Sequence, residues 1–299
     1  MALNSSGPIS LAGTTAGVSI QVELGGTGTT QISLNDASVR TLAGVATGAI
    51  TMPTNFYGKS NRVTSALTIS ANTQNYVLNT AKVTGYVAGK TDVTLTINAG
   101  VVVGSASTGS YAFTVNTSWA AGDTVTVINN GTVIGAGGNG GAGDNLNTYA
   151  GGFPGSAGGP AVSVLRTTSW TNTSGVCGGG GGGGGGGGLF YDGKYTFGGG
   201  GGGGGQGNNG GAGGASGDGG VYAADGSPGT TTAAGAGGTG NGGQAGGSGG
   251  SLGSTGIAGV NSNLTAGGAG GAGGACLSGK SFVNGGAGIT GGTTGGGQS

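Results

Sequence analysis

The chain has 299 residues, 86 of them glycine, and its eight basic residues balance eight acidic ones without any histidine. A neutral chain argues against nucleic-acid binding, because phosphate contacts need a basic surface. The lack of histidine excludes a Ser-His-Asp triad and disfavours a dedicated metal site. No apolar run reaches the roughly 18 residues of a membrane span, and the N-terminus lacks the basic and apolar parts of a signal peptide. We therefore expect a soluble, non-catalytic protein with no cofactor, no metal and no membrane insertion.

Residues 1–60 predict a small segment of short strands followed by one helix. Alternating apolar side chains over 9–24 predict the strands. Ser33, with an acid three residues on, resembles a capping box, so a helix is predicted over 34–43 that stops at Gly44. So few residues bury little core. The segment is therefore either the first layer of the next domain or an attachment segment that docks on a larger assembly.

Residues 61–134 alternate apolar and polar side chains, with Val and Thr enriched, which is typical of strands. The stretches 97–104 and 128–135 resemble each other at an offset of 31 residues. They predict a layered β module or small sandwich whose last strand continues into the first glycine run. Three isolated charges are expected to be solvated: Lys90, Asp92 and Asp123.

From residue 135 onward the chain is rich in glycine, and its clearest stretch, 266–275, repeats Gly-Gly-Ala. A period of three belongs to the extended left-handed helix with a rise of roughly 3.1 Å, which bonds sideways to its neighbours. We therefore predict that 135–299 is a bundle of about eight polyglycine II helices rather than a disordered linker, within a mostly β or irregular fold. The predicted runs are 135–143, 150–160, 178–188, 198–205, 209–220, 235–251, 266–275 and 285–297.

If each run reverses the chain, the loops 144–149, 189–197, 221–234 and 276–284 share one end of the bundle, and 161–177 and 252–265 share the other. This requires a turn at 206–209. Exposed aromatic side chains on a rigid scaffold indicate a recognition surface, although they could instead only cap the bundle. The candidate binding residues are Tyr149, Phe190, Tyr191, Asp192, Lys194, Tyr195, Phe197, Tyr222, Asp225, Lys280 and Phe282.

The same count of reversals puts Cys177 and Cys276 at opposite ends of the bundle, so no disulfide bond is predicted. Residues 274–281 match the pattern of a phosphate-binding loop. That loop needs a strand before it and a helix after it, and neither is predicted here. We therefore do not predict nucleotide binding.

The string from Ser33-Leu-Asn-Asp-Ala to Asn55-Phe-Tyr-Gly-Lys-Ser60 resembles a segment common in tail proteins of double-stranded DNA bacteriophages. With its glycine motifs and aromatic loops, the chain is similar to the distal tail-fibre adhesins of T-even-type phages. The resemblance implies a virion tail protein, assembled in the host cytoplasm. It implies a virion attachment segment at 1–60 that binds other tail proteins, a β module at 61–134, and at 135–299 a polyglycine II bundle whose loops bind a host outer-surface protein or glycan.

The N-terminal half differs from the attachment domain of those adhesins and looks more like generic phage tail proteins. Two alternative functions remain open. The protein could be a rigid tail spacer or cap without a receptor of its own. It could also bind ice through a flat face formed by Ala269, Ala272 and Ala275, although the aromatic loops and the N-terminal segment argue against that.

Overall fold

The computed structural model describes residues 2–218, 222–240, 244–291 and 293–299. It is mostly β and irregular chain, as predicted, with two short α-helices, α1 (Ile20–Glu23) and α2 (Ala37–Ala43). In the described ranges no helix is long and apolar enough to span a bilayer. The chain forms two compact units, and the first of them consists of Met1–Ser65, Thr84–Asp92 and Ala120–Asp123.

The first helix of this unit falls where strands were predicted. Ser19 caps α1, since its side chain accepts a hydrogen bond from the Val22 N–H at 3.3 Å. The one-turn helix buries Ile20 completely. A strand with alternating faces would bury it equally well, so the apolar pattern over 9–24 does not distinguish a helix from a strand. An isolated bridge between Ser10 and Ser19 is all that remains of the predicted strands.

The second helix begins later than predicted and ends where predicted. Asp36 accepts the Ser33 N–H at 2.8 Å, so residues 33–36 form a turn ahead of α2 instead of its first turn. Gly44 ends the helix with φ 72° in the left-handed region, which glycine adopts without strain. The small core around these helices consists of Leu3, Ile20, Val39, Leu42, Ala43 and Phe56.

Two charges that were expected to be solvated are paired within this unit. Asp92 binds Arg62 through both oxygens, at 2.6 Å to Nε and 2.7 Å to Nη2. Asp123 accepts hydrogen bonds from the Tyr86 hydroxyl and the Thr91 N–H. These contacts join residues 30 or more positions apart, which a single sequence does not reveal.

The strands of the described chain are short, and most have two or three residues. They are β1 (Val63–Ile69), β2 (Thr73–Gln74), β3 (Tyr76–Leu78), β4 (Thr91–Ile97), β5 (Val102–Gly104), β6 (Phe113–Val115), β7 (Thr124–Asn129), β8 (Thr132–Ile134), β9 (Val162–Val164), β10 (Ser169–Thr171), β11 (Val176–Gly178), β12 (Phe190–Tyr191), β13 (Thr196–Phe197), β14 (Leu277–Ser278) and β15 (Thr293–Gly295).

From β1 to β11, successive strands fall into three sheets in rotation. With the later β14 and β15 added, the orders are β1-β4-β7-β10, β15-β11-β8-β5-β2 and β14-β9-β6-β3, and β12 pairs with β13 in a two-stranded sheet. The pairings β5–β8, β8–β11, β6–β9 and β7–β10 are all parallel. The chain therefore winds as a three-sided solenoid. Its interior is mostly apolar. Phe113 is fully buried there, stacked on Tyr76 at 5.7 Å and edge-on to Trp170 at 5.4 Å between ring centroids.

One turn of this solenoid explains the internal resemblance in the sequence. Val102 of β5 faces Thr132 of β8, so paired residues there are thirty positions apart, whereas the two stretches resemble each other at an offset of 31. Four residues separate β4 from β5 but only two separate β7 from β8, so a single offset does not describe both strands of each stretch. The last strand before the first glycine run is β8, and it continues directly into Gly135 as predicted.

Glycine-rich chain leaves the solenoid twice, each time between the second and third strand of a turn. The first excursion, 135–161, lies between β8 and β9, and the second, 179–276, lies between β11 and β14. Strands from both sides of residue 135 therefore belong to the same sheets. The excursions, together with Gly178 at the end of β11, form ten extended segments, which we call the glycine lattice: 135–144, 151–160, 178–188, 198–206, 209–217, 224–230, 235–240, 244–253, 254–260 and 266–275.

The central segment of the lattice, 178–188, is buried along its whole length. Its N–H groups bond in turn to three neighbours, with residues 180, 183 and 186 bound to 151–160, residues 181, 184 and 187 to 198–206, and residues 182, 185 and 188 to 254–260. Its carbonyl groups accept in the same rotation from 135–144, 244–253 and 266–275. Six neighbours thus satisfy its backbone, with a hydrogen-bonding period of three residues.

Several predicted runs differ from these segments. The segments 224–230 and 254–260 were predicted to be loops, and 235–251 contains two segments of opposite direction. Predicted run 285–297 is wrong, since it contains a 3₁₀ turn at Asn284–Gly286 and β15. Parts of the predicted runs and loops, residues 219–221, 241–243 and 292, lie outside the described residues. The chain does reverse at 206–209, as the prediction required.

Candidate functional site

The two ends of the glycine lattice carry different kinds of chain. At one end, the strand end, segments run into the solenoid strands β8, β9, β11 and β14. At the other, the loop end, the chain turns in the described loops 145–150, 189–197 and 261–265, and Tyr222 lies there as well.

The longest of these loops is a β-hairpin. Phe190 pairs with Phe197 and Tyr191 with Thr196 in the antiparallel strands β12 and β13. Asp192 closes the turn, because its carboxylate accepts the N–H groups of Tyr195 at 2.7 Å and Lys194 at 2.8 Å. These two backbone hydrogen bonds lower the pKa of Asp192. The carboxylate is therefore a structural part of the turn as well as a candidate for binding.

Aromatic rings gather around Phe197. Its ring lies 5.4 Å from Tyr222, 6.4 Å from Phe190 and 6.5 Å from Tyr195 between centroids. Phe190 and Phe197 are half-buried, whereas 55% of Tyr195 and 62% of Tyr222 are exposed. The cluster therefore has an inner pair that fixes its shape and outer tyrosines that face solvent.

The only charged side chain of the hairpin besides Asp192 is Lys194. Its ammonium lies 4.8 Å from the centre of the Tyr195 ring, within the range of a cation–π contact. The exposed surface of the hairpin thus combines tyrosine faces and hydroxyls with one cation.

A buried carboxylate, that of Asp144, holds the loops together. It accepts hydrogen bonds from the Gly151 N–H at 2.8 Å and from the Thr265 hydroxyl at 2.7 Å. The same carboxylate accepts from Thr148 and Ala150 at 3.3 Å each. Loop 145–150 is thereby joined to a residue that lies more than a hundred positions further along the chain.

The loop 261–265 lies beside the hairpin. Asn263 pairs with the backbone of Tyr191 as a strand would, since its side chain accepts the Tyr191 N–H at 3.0 Å and donates to the Tyr191 carbonyl at 2.7 Å. Its neighbour Leu264 is an exposed apolar side chain. The predicted position of this loop, at the other end with the rest of 252–265, is wrong.

The loop 145–150 presents Leu146 and Tyr149 to solvent, and 54% of Tyr149 is exposed. Tyr149 has φ 48°, a left-handed conformation that is rare for a residue with a side chain. The hydrogen bonds from Ala150 and Gly151 to Asp144 hold the backbone that follows it.

Asp225 also has a structural contact. Its carboxylate accepts the Ser216 N–H at 2.7 Å, and hydrogen bonds from Ser216 lower its pKa. It lies in segment 224–230, next to residue 224, whose carbonyl accepts from Gly201.

Lys280 and Phe282 do not join the other candidates. They form a 3₁₀ turn at Lys280–Phe282, directly after β14 at the strand end. The Phe282 carbonyl accepts a hydrogen bond from Thr168. Their predicted place among the loop aromatics is wrong, because three more segments precede 276 than were counted and the chain direction there is inverted.

The cysteines were predicted at opposite ends, which is also wrong. Cys177 of β11 and Cys276 both lie at the strand end, and their sulphur atoms are 2.7 Å apart. Both side chains are buried. The same miscounted segments account for this error.

The residues that the sequence reasoning missed at the loop end are Leu146, Asn263, Leu264 and Thr265. A signal for the last three was present. Gly253, Gly256 and Gly259 keep the period of three with one glycine per turn, and this pattern marks 254–260 as a lattice segment that carries the chain to the loop end. This segment is absent from the predicted runs because those runs are defined by paired glycines.

Comparison with known proteins gives the following matches. A family model described as phage tail fibre adhesin Gp38 matches residues 64–275. Among solved structures, the gp37-gp38 adhesin tip complex of the bacteriophage S16 long tail fiber is similar, with 24% identity and a TM-score of 0.44 over 95% of this chain and 100% of that chain. No curated protein matches.

Proposed function

Because this chain belongs to the phage tail fibre adhesin Gp38 family, and so to the virion tail, we propose that its loop end binds a receptor on the surface of the host bacterium. The observation that carries the proposal is the exposed aromatic cluster around Phe197. Tyrosine is enriched where proteins bind one another, and a few aromatic anchors carry most of the energy of an interface. Eight candidates besides Phe197 contribute to this surface: Tyr149, Phe190, Tyr191, Asp192, Lys194, Tyr195, Tyr222 and Asp225.

The receptor in this proposal is an outer-surface protein or glycan. Tyrosine suits either kind of partner, because each ring offers a large apolar face and a polar hydroxyl. Lys194, Asp192 and Asp225 add exposed charges of both signs. Binding of this kind needs no catalytic group, and we propose that the protein acts without catalysis.

We also propose that the lattice segments are polyglycine II helices. The support is the rotation of hydrogen bonds around 178–188, which returns to the same neighbour at every third residue. Three residues per turn and sideways backbone bonding are the properties of that helix. Such a scaffold would hold loops of varied sequence in fixed positions.

Residues 1–60 are, in this proposal, the segment that attaches to other tail proteins during assembly in the host cytoplasm. The β module and the glycine-rich region, 61–134 and 135–299, then present the loop end. Removal of 1–60 is expected to leave particles that lack the adhesin.

The test is adsorption of phage particles that carry the double substitution Tyr195→Ala and Tyr222→Ala. Both side chains are mostly exposed, so folding should survive. Loss of two anchors should slow adsorption to host cells by about tenfold or more. Phe282→Ala is the matched control, since Phe282 is an exposed aromatic residue at the strand end.

Unchanged adsorption by particles that assemble normally would reject the proposed surface and favour a rigid tail spacer. Exchange of the whole hairpin, 189–197, then decides whether any part of this loop contributes to host choice.

A further inference from the structure

Cys177 and Cys276 lie at the two points where residues 178–275 leave and rejoin the solenoid. Cys177 is in β11, next to the first glycine of the run 178–188. Cys276 directly precedes β14. β11 and β14 belong to different sheets, so contact between the two side chains spans the solenoid interior.

The sulphur atoms are closer than ordinary non-bonded neighbours. They are 2.7 Å apart, whereas non-bonded heavy atoms usually lie about 3.5–4.0 Å apart and a disulfide bond is about 2.05 Å long. Both side chains have no solvent exposure. A small shift of either side chain would bring the sulphur atoms to bonding distance.

A metal site does not explain the pair. In the described ranges no group of three or more His, Cys, Asp or Glu side chains could hold an ion. Structural zinc sites use four such ligands, so two thiols alone lack the ligand set.

We propose that Cys177 and Cys276 form a disulfide bond once the protein leaves reducing surroundings. The two thiols lose two protons and two electrons as the sulphur–sulphur bond forms, and dioxygen takes up both to give hydrogen peroxide. Thiols stay reduced in a cytoplasm and oxidise outside it. On the proposed location in a virion, the bond would therefore form after release from the host cell.

The chemistry of the buried pair makes this oxidation slow in the folded protein. The hydrogen bond with Cys276, followed by burial, raises the pKa of Cys177, so little of the reactive thiolate is present. Once formed, the bond closes a loop of about one hundred residues, which reduces the freedom of the unfolded chain. Both ends of the second glycine excursion would then be covalently tied.

The test uses the full-length protein, kept under reductant or incubated in air with trace Cu²⁺ as catalyst. Each sample is unfolded in denaturant with iodoacetamide and digested with trypsin, which cuts after Arg166, Lys194 and Lys280. The peptides 167–194 and 195–280 carry one cysteine each. In the air sample we expect the two peptides joined and unlabelled, with a mass lower by two hydrogen atoms than their sum.

The oxidised protein should also unfold at a temperature higher by about 10 °C than the reduced protein. Cys276→Ala is the control and should show no gain in air. Two labelled cysteines in the air sample, or a disulfide found only between separate chains, would overturn the proposal. Because the peptide assay uses the natural sequence, it does not depend on whether the variant folds.

Discussion

The carboxylate of Asp144 shows how a single buried side chain can organise the loop end. Four donors converge on its two oxygens: two from loop 145–150, one from loop 261–265 and the N–H of Gly151. An amide of the same shape offers one acceptor oxygen, and its NH₂ group would point at a donor. Leaving such a buried donor unsatisfied costs about 1–3 kcal/mol.

We therefore expect Asp144→Asn to lower the unfolding temperature by several degrees and to weaken adsorption to host cells, although no outward-facing side chain changes. Asp36→Asn is the control, because asparagine also closes such turns, and Asp36 is exposed and lies outside the proposed binding surface. Thermal unfolding and adsorption should be measured on both variants. Equal behaviour of the two would contradict the role given to Asp144.

The lowered pKa of Asp192 predicts a pH dependence of the hairpin. Its folded-state pKa lies below the ordinary value because the Tyr195 and Lys194 N–H groups bind the ionised form. The stability that it contributes is present above the unfolded-state pKa and is lost as the pH falls through the folded-state pKa. Carboxyl ¹³C NMR should give a midpoint for Asp192 below that of an unstructured aspartate, and a midpoint at or above that value would refute the turn geometry.

At the scale of the element, the central lattice segment has no room for side chains. A Cβ added at Gly184 would collide with the Gly247 carbonyl of the neighbouring segment. Overpacking against rigid backbone costs roughly 3 kcal/mol or more. We expect Gly184→Ala to lower the unfolding temperature by about 10 °C.

A matched control is Gly109→Ala, where an added Cβ meets nothing within 4 Å. Thermal unfolding should show a change of no more than about 2 °C for that variant. If Gly184→Ala unfolds at the same temperature as the natural protein, the close approach of segments 178–188 and 244–253 is wrong.

Local patterns were sufficient for some elements and not for others. The period of three located the segment 266–275, unbroken glycine located 178–188 and 198–205, and the loop 189–197 was predicted as a loop but not as a hairpin. The number of reversals could not be read reliably, because segments with one glycine per turn look like ordinary loops. That count decides which end each later residue occupies, so Lys280 and Phe282 were misplaced.

The solenoid was only partly predictable for a different reason. Its strands β9, β10, β11, β14 and β15 lie beyond residue 135 and have two or three residues each. Such short segments become strands only because they hydrogen-bond to parallel partners far away in the sequence, as β11 does to β8. No local pattern encodes that pairing, whereas the longer strands β4 and β7 alternate clearly enough to be recognised.

At the scale of the whole molecule, charge contributes little to the fold. The chain has sixteen charged residues in 299, and the ion pair Arg62–Asp92 is only partly buried. Exposed pairs contribute roughly 0–1 kcal/mol and are screened by salt. Raising sodium chloride from about 0.05 to about 0.5 M should therefore shift the unfolding temperature by less than about 2 °C. A larger shift in a salt series would show that charges matter more than their number suggests.

The six-neighbour burial of segment 178–188 also has a consequence for heat capacity. Unfolding of an ordinary domain exposes apolar side chains and raises the heat capacity by about 12–15 cal/mol/K per residue, whereas exposure of polar backbone lowers it. The lattice buries peptide groups and few apolar side chains. The heat-capacity change per residue on unfolding, measured by scanning calorimetry, should therefore lie clearly below that value. A small heat-capacity change flattens the curve of stability against temperature. The fold would then lose little stability on cooling, down to temperatures at which proteins with large apolar cores weaken.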